Sequence, residues 1–195
     1  MNFPLTARFK VLAIASQISV TDSRDTLIYY VRQKAFKLKE AVTVFADEAQ
    51  TRPIFKIEAD RILDVSARYR IEDAGGAETG VLQRHGMRSF WRTHYEIERG
   101  GQSALVIREE NPWTKVLDGL FGSIPILGIF SGYLFHPAYV VSAAPEGSPL
   151  LRIVKKPALF EGRFEIERVG PLDDAAASLA LVSVLMMLLL ERARG

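Results

Sequence analysis

Asp173-Asp-Ala-Ala-Ala-Ser-Leu-Ala-Leu-Val-Ser-Val-Leu-Met-Met-Leu-Leu-Leu-Glu-Arg-Ala-Arg194 decides how the rest of the chain is read. Pro171 stops whatever precedes it. Asp173 and Asp174 offer carboxylates to the free N–H groups of a helix start, and their charge suits the positive end of the helix dipole. Arg192 and Arg194 suit the negative end, and Gly195 comes after them as a stop signal. Ala175 to Leu190 carries no charge and is apolar on every side, so the helix over residues 173–194 must be surrounded. A bilayer span needs about 20 apolar residues. This run is shorter and holds Ser178 and Ser183, so a protein core is the expected surrounding. The other segments read as strands, which predicts a mainly β (α+β) fold in which a closed β-barrel is threaded by a central C-terminal helix.

Working outward, three segments line up at a spacing of 25 to 26 residues: Thr43-Val-Phe-Ala-Asp-Glu48, Arg68-Tyr-Arg-Ile-Glu-Asp73 and His94-Tyr-Glu-Ile-Glu-Arg99. Each is followed by a turn signal at Ala49-Gln50, Gly75-Gly76 or Gly100-Gly101, and then by a second strand. Tyr139 to Ser142, a turn at Pro145 to Gly147, and Leu150 to Val154 form a looser fourth unit. Repeated hairpins make an antiparallel meander, and a meander that closes has no edges. Residues 1–23 read as a lead-in, with Phe9, Val11, Leu12 and Ile14 as a first strand or a clamp, and Thr21 to Arg24 as a turn. Alternation puts Tyr69, Ile71, Trp91, Tyr95 and Ile97 inside, and Arg68, Arg70, Arg88, Arg92 and His94 outside. Residues 112–137 break the pattern. Val116, Leu117, Leu120 and Phe121 have helical spacing, and five Gly and Pro residues cut the segment into short pieces. This apolar helical insertion is expected to plug one mouth of the barrel or to touch a membrane interface. The 195 residues read as one domain.

Chemistry is sparse. The chain has no cysteine, which excludes disulfides, thiolate metal sites and a Cys nucleophile. His85, His94 and His136 have no metal-binding spacing, and His94 reads as a solvated outer residue. No phosphate loop or Gly-x-Ser-x-Gly elbow occurs, and Glu109 and Glu110 read as solvated neighbours on opposite strand faces. Catalytic residues, metals and cofactors are therefore not expected. The net charge of +2 points to no nucleic acid. The N-terminal apolar run of about five residues is too short for a secretory signal. The chain reads as a cytoplasmic monomer, peripheral at the inner face of the membrane.

The plan resembles the tubby C-terminal-like superfamily, which includes the LURP-one-related proteins and the phospholipid scramblases. The resemblance is carried by the strand–turn repeats from Thr26 to Arg108, the returning strands from Tyr139 to Arg168, and the apolar helix. Arg32-Gln-Lys-Ala-Phe-Lys-Leu-Lys39, Met87-Arg-Ser-Phe-Trp91 and Arg108-Glu-Glu-Asn-Pro-Trp113 look like a bacterial branch of the LURP-one-related proteins. The resemblance implies about twelve strands around a central helix. It also implies binding of phosphoinositide or another membrane lipid through basic residues on the barrel wall, as in some members. The insertion at 112–137 departs from the tubby pattern, and no family lipid motif is matched residue by residue.

Two functions are consistent with these readings. The first is a non-enzymatic lipid- or membrane-surface-binding barrel. Lys37, Lys39, Arg68, Arg70, Arg88 and Arg92 would form a cationic wall, with Lys155, Lys156 and Arg163 as a second cluster. Glu40, Glu72 and Glu96 share the first wall. The alternative is a protein-interaction scaffold that docks a partner through residues 112–137. Salt separates the two, because charge-driven binding weakens with ionic strength and apolar docking does not.

Overall fold

The computed structural model describes residues 1–11, 15–34, 41–60, 67–84, 94–110, 138–145, 147–158 and 161–192. Among these are twelve strands: β1 (Leu5–Val11), β2 (Ala15–Thr21), β3 (Leu27–Lys34), β4 (Ala41–Phe45), β5 (Pro53–Ala59), β6 (Arg68–Asp73), β7 (Glu78–Arg84), β8 (His94–Arg99), β9 (Gln102–Glu109), β10 (Ala138–Ala143), β11 (Pro149–Lys156) and β12 (Gly162–Arg168). A helix, α1 (Asp174–Arg192), comes after them. Every strand pairs antiparallel with its neighbour in sequence, and β1 pairs with β12, so the barrel is closed. The resemblance's expectation of about twelve strands around a helix is met. The insertion at 112–137 lies outside the described residues.

The lead-in expected over residues 1–23 is instead structural. It supplies β1, β2 and the turn into β3, and β1 is the strand that closes the ring. Among the described residues of the alternation, Ile71, Tyr95 and Ile97 are buried inward, Tyr69 and His94 are half-buried, and Arg68 and Arg70 are exposed; Val42, Val44 and Ile57 are also buried inward. The helix fills the space these side chains surround. From Leu179 to Leu189 every residue is buried, including Ser183, whose hydroxyl has no hydrogen-bond partner. The helix is long and apolar enough to cross a membrane, yet 67% of its most apolar window is buried within the protein. Asp173 Oδ1 accepts from the Ala176 N–H at 2.8 Å and caps the helix. Asp174 lies in the first turn and Arg192 in the last, so both charges suit the dipole.

The two mouths of the barrel are built differently. At one, short turns join β2 to β3, β4 to β5, β6 to β7, β8 to β9 and β10 to β11, and the chain enters α1. Asp22, Asp47 and Asp73 brace three of these turns. Asp22 accepts from the amides of Arg24 and Thr26, Asp47 from those of Thr51 and Arg52, and Asp73 from those of Gly75 and Ala77. The Asn2 side-chain amide holds the Asp22 carboxyl below its usual range, and the Thr51 amide does the same for Asp47. A register shift precedes all five turns, at Val20/Thr21, Val44/Phe45, Ile71/Glu72, Ile97/Glu98 and Val141/Ser142. Such bulges add the local twist that curls a sheet into a barrel. The repeat therefore extends back to the β2–β3 hairpin. The opposite, far mouth is where β1, β3, β5, β7, β9, β11 and α1 end.

Candidate functional site

Among the described residues, the outer wall divides into a neutralised side and a cationic side. On the neutralised side, Arg68 Nη2 lies 2.6 Å from Glu98 Oε2. Arg70 is 3.3 Å from Asp60 and 3.8 Å from Glu72, and Lys56 is 2.6 Å from Glu58. The Asp60 hydrogen bond and charge push the Arg70 guanidinium up from its usual value. Pairs this exposed add little stability, because water and salt screen them, but they cancel the local positive field. Arg68 and Arg70 are thus placed outside, as expected, but each faces a carboxylate. Lys37, Lys39, Arg88 and Arg92 lie outside the described residues, as do Trp91, Trp113, His85 and His136.

The cationic side is the seam where the barrel closes. The register pairs Arg8 of β1 with Arg163 of β12, and Arg163 with Lys156 of β11. All three alternate with inward neighbours: Ala7 and Phe9 beside Arg8, Phe164 beside Arg163, and Ile153 three residues before Lys156. They therefore form one row across three strands, with neighbouring strands about 4.8 Å apart. A second row runs from Arg32 through Gln17 to Lys10 on β3, β2 and β1. Lys155, paired with Phe164, stands exposed at the rim of the far mouth. The acids here are Glu161, 4.0 Å from Arg8, and Glu165, 3.1 Å from Lys156. Lys10, Arg32, Lys155 and Arg163 are exposed and have no ion-pair partner among the described residues.

The structure thus brings Lys156 and Arg163 together, places Lys155 on the opposite strand face at the rim, and adds Arg8, Lys10 and Arg32, which the sequence reading missed. Treating residues 1–23 as a lead-in hid Arg8 and Lys10. Only the closing register shows that Arg8 stands beside Arg163. Glu110, read as solvated, is a correction: its Oε2 accepts from Arg152 Nε and Nη2 at 3.2 and 3.1 Å, tying the end of β9 to β11.

Inside the far mouth the buried Tyr95 meets the half-buried Glu191. The Tyr95 hydroxyl donates to Glu191 Oε1 at 2.8 Å, and Arg84 lies 6.0 Å above the Tyr95 ring. Burial, and then the Glu191 charge, push the Tyr95 hydroxyl well above the usual tyrosine range. Burial pushes Tyr139 up to about 12, and it also raises Tyr29 and Tyr69. The sign is fixed by linkage. Above pH ~10 the unfolded tyrosines lose their protons while the folded ones hold theirs, so stability falls as pH rises. Phenolate absorbance measured through alkaline titration should show Tyr95 ionising only together with unfolding. Tyr95 ionising near pH ~10 in folded protein would contradict its burial. This arrangement anchors α1 to the wall. Among the described residues no group of three or more His, Asp or Glu side chains is placed to hold a metal ion.

The model of the LURP-one-related family matches residues 27–121, and the resemblance read from the sequence is borne out there. A protein from Arabidopsis thaliana, solved by X-ray crystallography, is similar over 94% of this chain and 90% of its own, at 14% identity and a TM-score of 0.49. No curated protein matches the chain.

Proposed function

We propose that this barrel is a LURP-one-related, non-enzymatic module that binds an anionic membrane surface through its closing seam. Its ligand is an anionic phospholipid or phosphoinositide headgroup. The supporting observation is the Arg8–Arg163–Lys156 row, flanked by Lys10, Arg32 and Lys155 and opposed, among the described residues, by Glu161 and Glu165. Each cation near an anionic leaflet contributes about 1 kcal/mol, so several together hold a protein reversibly. On the other side, among the described residues, Lys56, Arg68 and Arg70 each face a carboxylate.

Sedimentation with neutral and anionic vesicles at low and high salt tests this. Wild-type protein is expected to sediment with anionic vesicles at low salt and to be released as salt rises. Replacing Arg8 and Arg163 with Glu should weaken this binding by at least about 30-fold, from the loss of two cations alone. Melting should change little, since outward surface substitutions usually stay within about 0.5 kcal/mol. Protein that ignores anionic vesicles at low salt refutes the reading and directs attention to the scaffold alternative. That alternative rests on residues 112–137, outside the described residues.

A further inference from the structure

The charges of this barrel are sorted along its axis. Residues 21–28, 45–53, 72–79, 97–103, 143–150 and 167–174 make up the tight-turn mouth, and by sequence they hold twelve acids and four arginines. The chain has 25 Lys and Arg against 23 Asp and Glu, so all other residues together hold 21 against eleven. The net charge of +2 thus conceals −8 at one mouth and +10 over the remainder. At the turn mouth, Asp22 and Asp47 are held ionised by the amides they accept from. At the far end of the wall stand Arg8, Lys10, Arg32, Lys155, Lys156 and Arg163, with Arg192 at the end of α1. The arrangement complements the helix dipole, whose positive end lies at the acidic mouth.

We propose that the barrel docks end-on, with its far mouth and seam against an anionic lipid surface and its tight-turn mouth directed away. This orientation rests on the surface-binding reading above and deepens it. Distance decides it. The helix has 19 residues, so at about 1.5 Å each it separates the mouths by roughly 28 Å. The Debye length at physiological salt is about 8 Å, so the surface potential there has fallen to about 3% of its value at contact. End-on, the seam cations feel the surface and the acids do not. Side-on, both feel it and the attraction largely cancels. Inverted, the approach is repulsive.

The chain has no cysteine, so one introduced residue gives a single labelling position. Ala158→Cys lies exposed at the far mouth, and Gln102→Cys lies exposed at the tight-turn mouth. Each full-length variant carries a fluorophore and is quenched with neutral acrylamide. The quenching is measured with and without vesicles of phosphatidylcholine containing an equal part of phosphatidylserine, and sedimentation is run on the same samples. Pro157→Cys and Ser148→Cys provide second positions if a label disturbs melting. Quenching of the Ala158 label is expected to drop severalfold on vesicles while that of the Gln102 label stays as in solution. Sedimentation with the Gln102 label shielded as strongly as the Ala158 label, or more, overturns the orientation and leaves surface binding standing. Absence of sedimentation overturns both.

Discussion

Removal of residues 175–195 is expected to leave an insoluble or molten chain with no cooperative melting transition. Among the described residues the barrel's inward side chains have no other element at their centre: Leu5, Val44, Ile57, Ile71, Ile97, Ile153 and their neighbours close around α1. The helix buries twelve residues. At roughly 25 cal/mol per Å² of apolar surface, losing both faces of that contact is worth on the order of tens of kcal/mol before chain entropy is counted. No marginally stable domain absorbs such a loss. The single-residue form of this prediction is Leu185→Asp. Leu185 is 1% exposed, and a carboxylate there either stays charged without a partner or is held protonated by a strongly raised pKa; each costs several kcal/mol. Total stability is typically about 5–15 kcal/mol, so the variant is expected to unfold or to melt far below the wild type. Circular dichroism melting of both variants checks this. A soluble truncation with an unchanged sharp transition would show that the helix is not the core. So would a Leu185→Asp variant with wild-type melting, or an intact chain that needs detergent to stay in solution.

The range over which each interaction acts decided how legible it was in the sequence. Local alternation placed β6 and β8 at the bounds the structure has, because each strand sets apolar residues against charged ones. The all-round apolar helix announced its own burial, since a single stripe would have sufficed at a surface. The first three strands were harder. β2 has only Ile18 and Val20 as large inward residues among Ser, Gln and Thr. In β3, the run Leu27-Ile-Tyr-Tyr-Val31 is apolar on both faces, and Tyr30 is buried although it alternates outward. A periodicity test has nothing to grip in either strand. The cationic seam was invisible for another reason. Arg8 and Arg163 meet only because the last strand pairs with the first, and no local pattern encodes that pairing. The ion pairs that neutralise Arg68 and Arg70 are similarly cross-strand: Glu98 lies two strands away from Arg68, and Asp60 comes directly after β5. Net charge concealed the sorting of acids and bases because a sum discards position.

Gly80→Ala is expected to destabilise the protein by about 3 kcal/mol, near the upper end for overpacking. Gly80 lies on the inward side of β7, opposite Ile71. A Cβ there would stand 2.6 Å from the Glu98 carbonyl oxygen and 2.9 Å from Leu179 Cδ1 on α1. The two obstacles differ. Leu179 is a flexible side chain that can turn aside, although it is buried among neighbours that would have to move with it. The Glu98 carbonyl belongs to the β8 backbone, held beside β7 where Val81 pairs with Glu98. It moves only if β7 and β8 separate. Relief of one obstacle alone is therefore incomplete, and Gly80→Ala combined with Leu179→Ala should recover little of the loss while adding a cavity of its own. For a chain of this size each kcal/mol lowers the melting temperature by about 2–4 °C, so the single variant should melt about 6–12 °C below the wild type. Gly80→Val should fall further, since its two methyl groups reach deeper toward α1. The measurement is independent of truncation because the helix stays in place and only its clearance from the wall changes. A Gly80→Ala variant that melts with the wild type would mean that β7, β8 and α1 do not approach one another as closely as a threaded barrel requires.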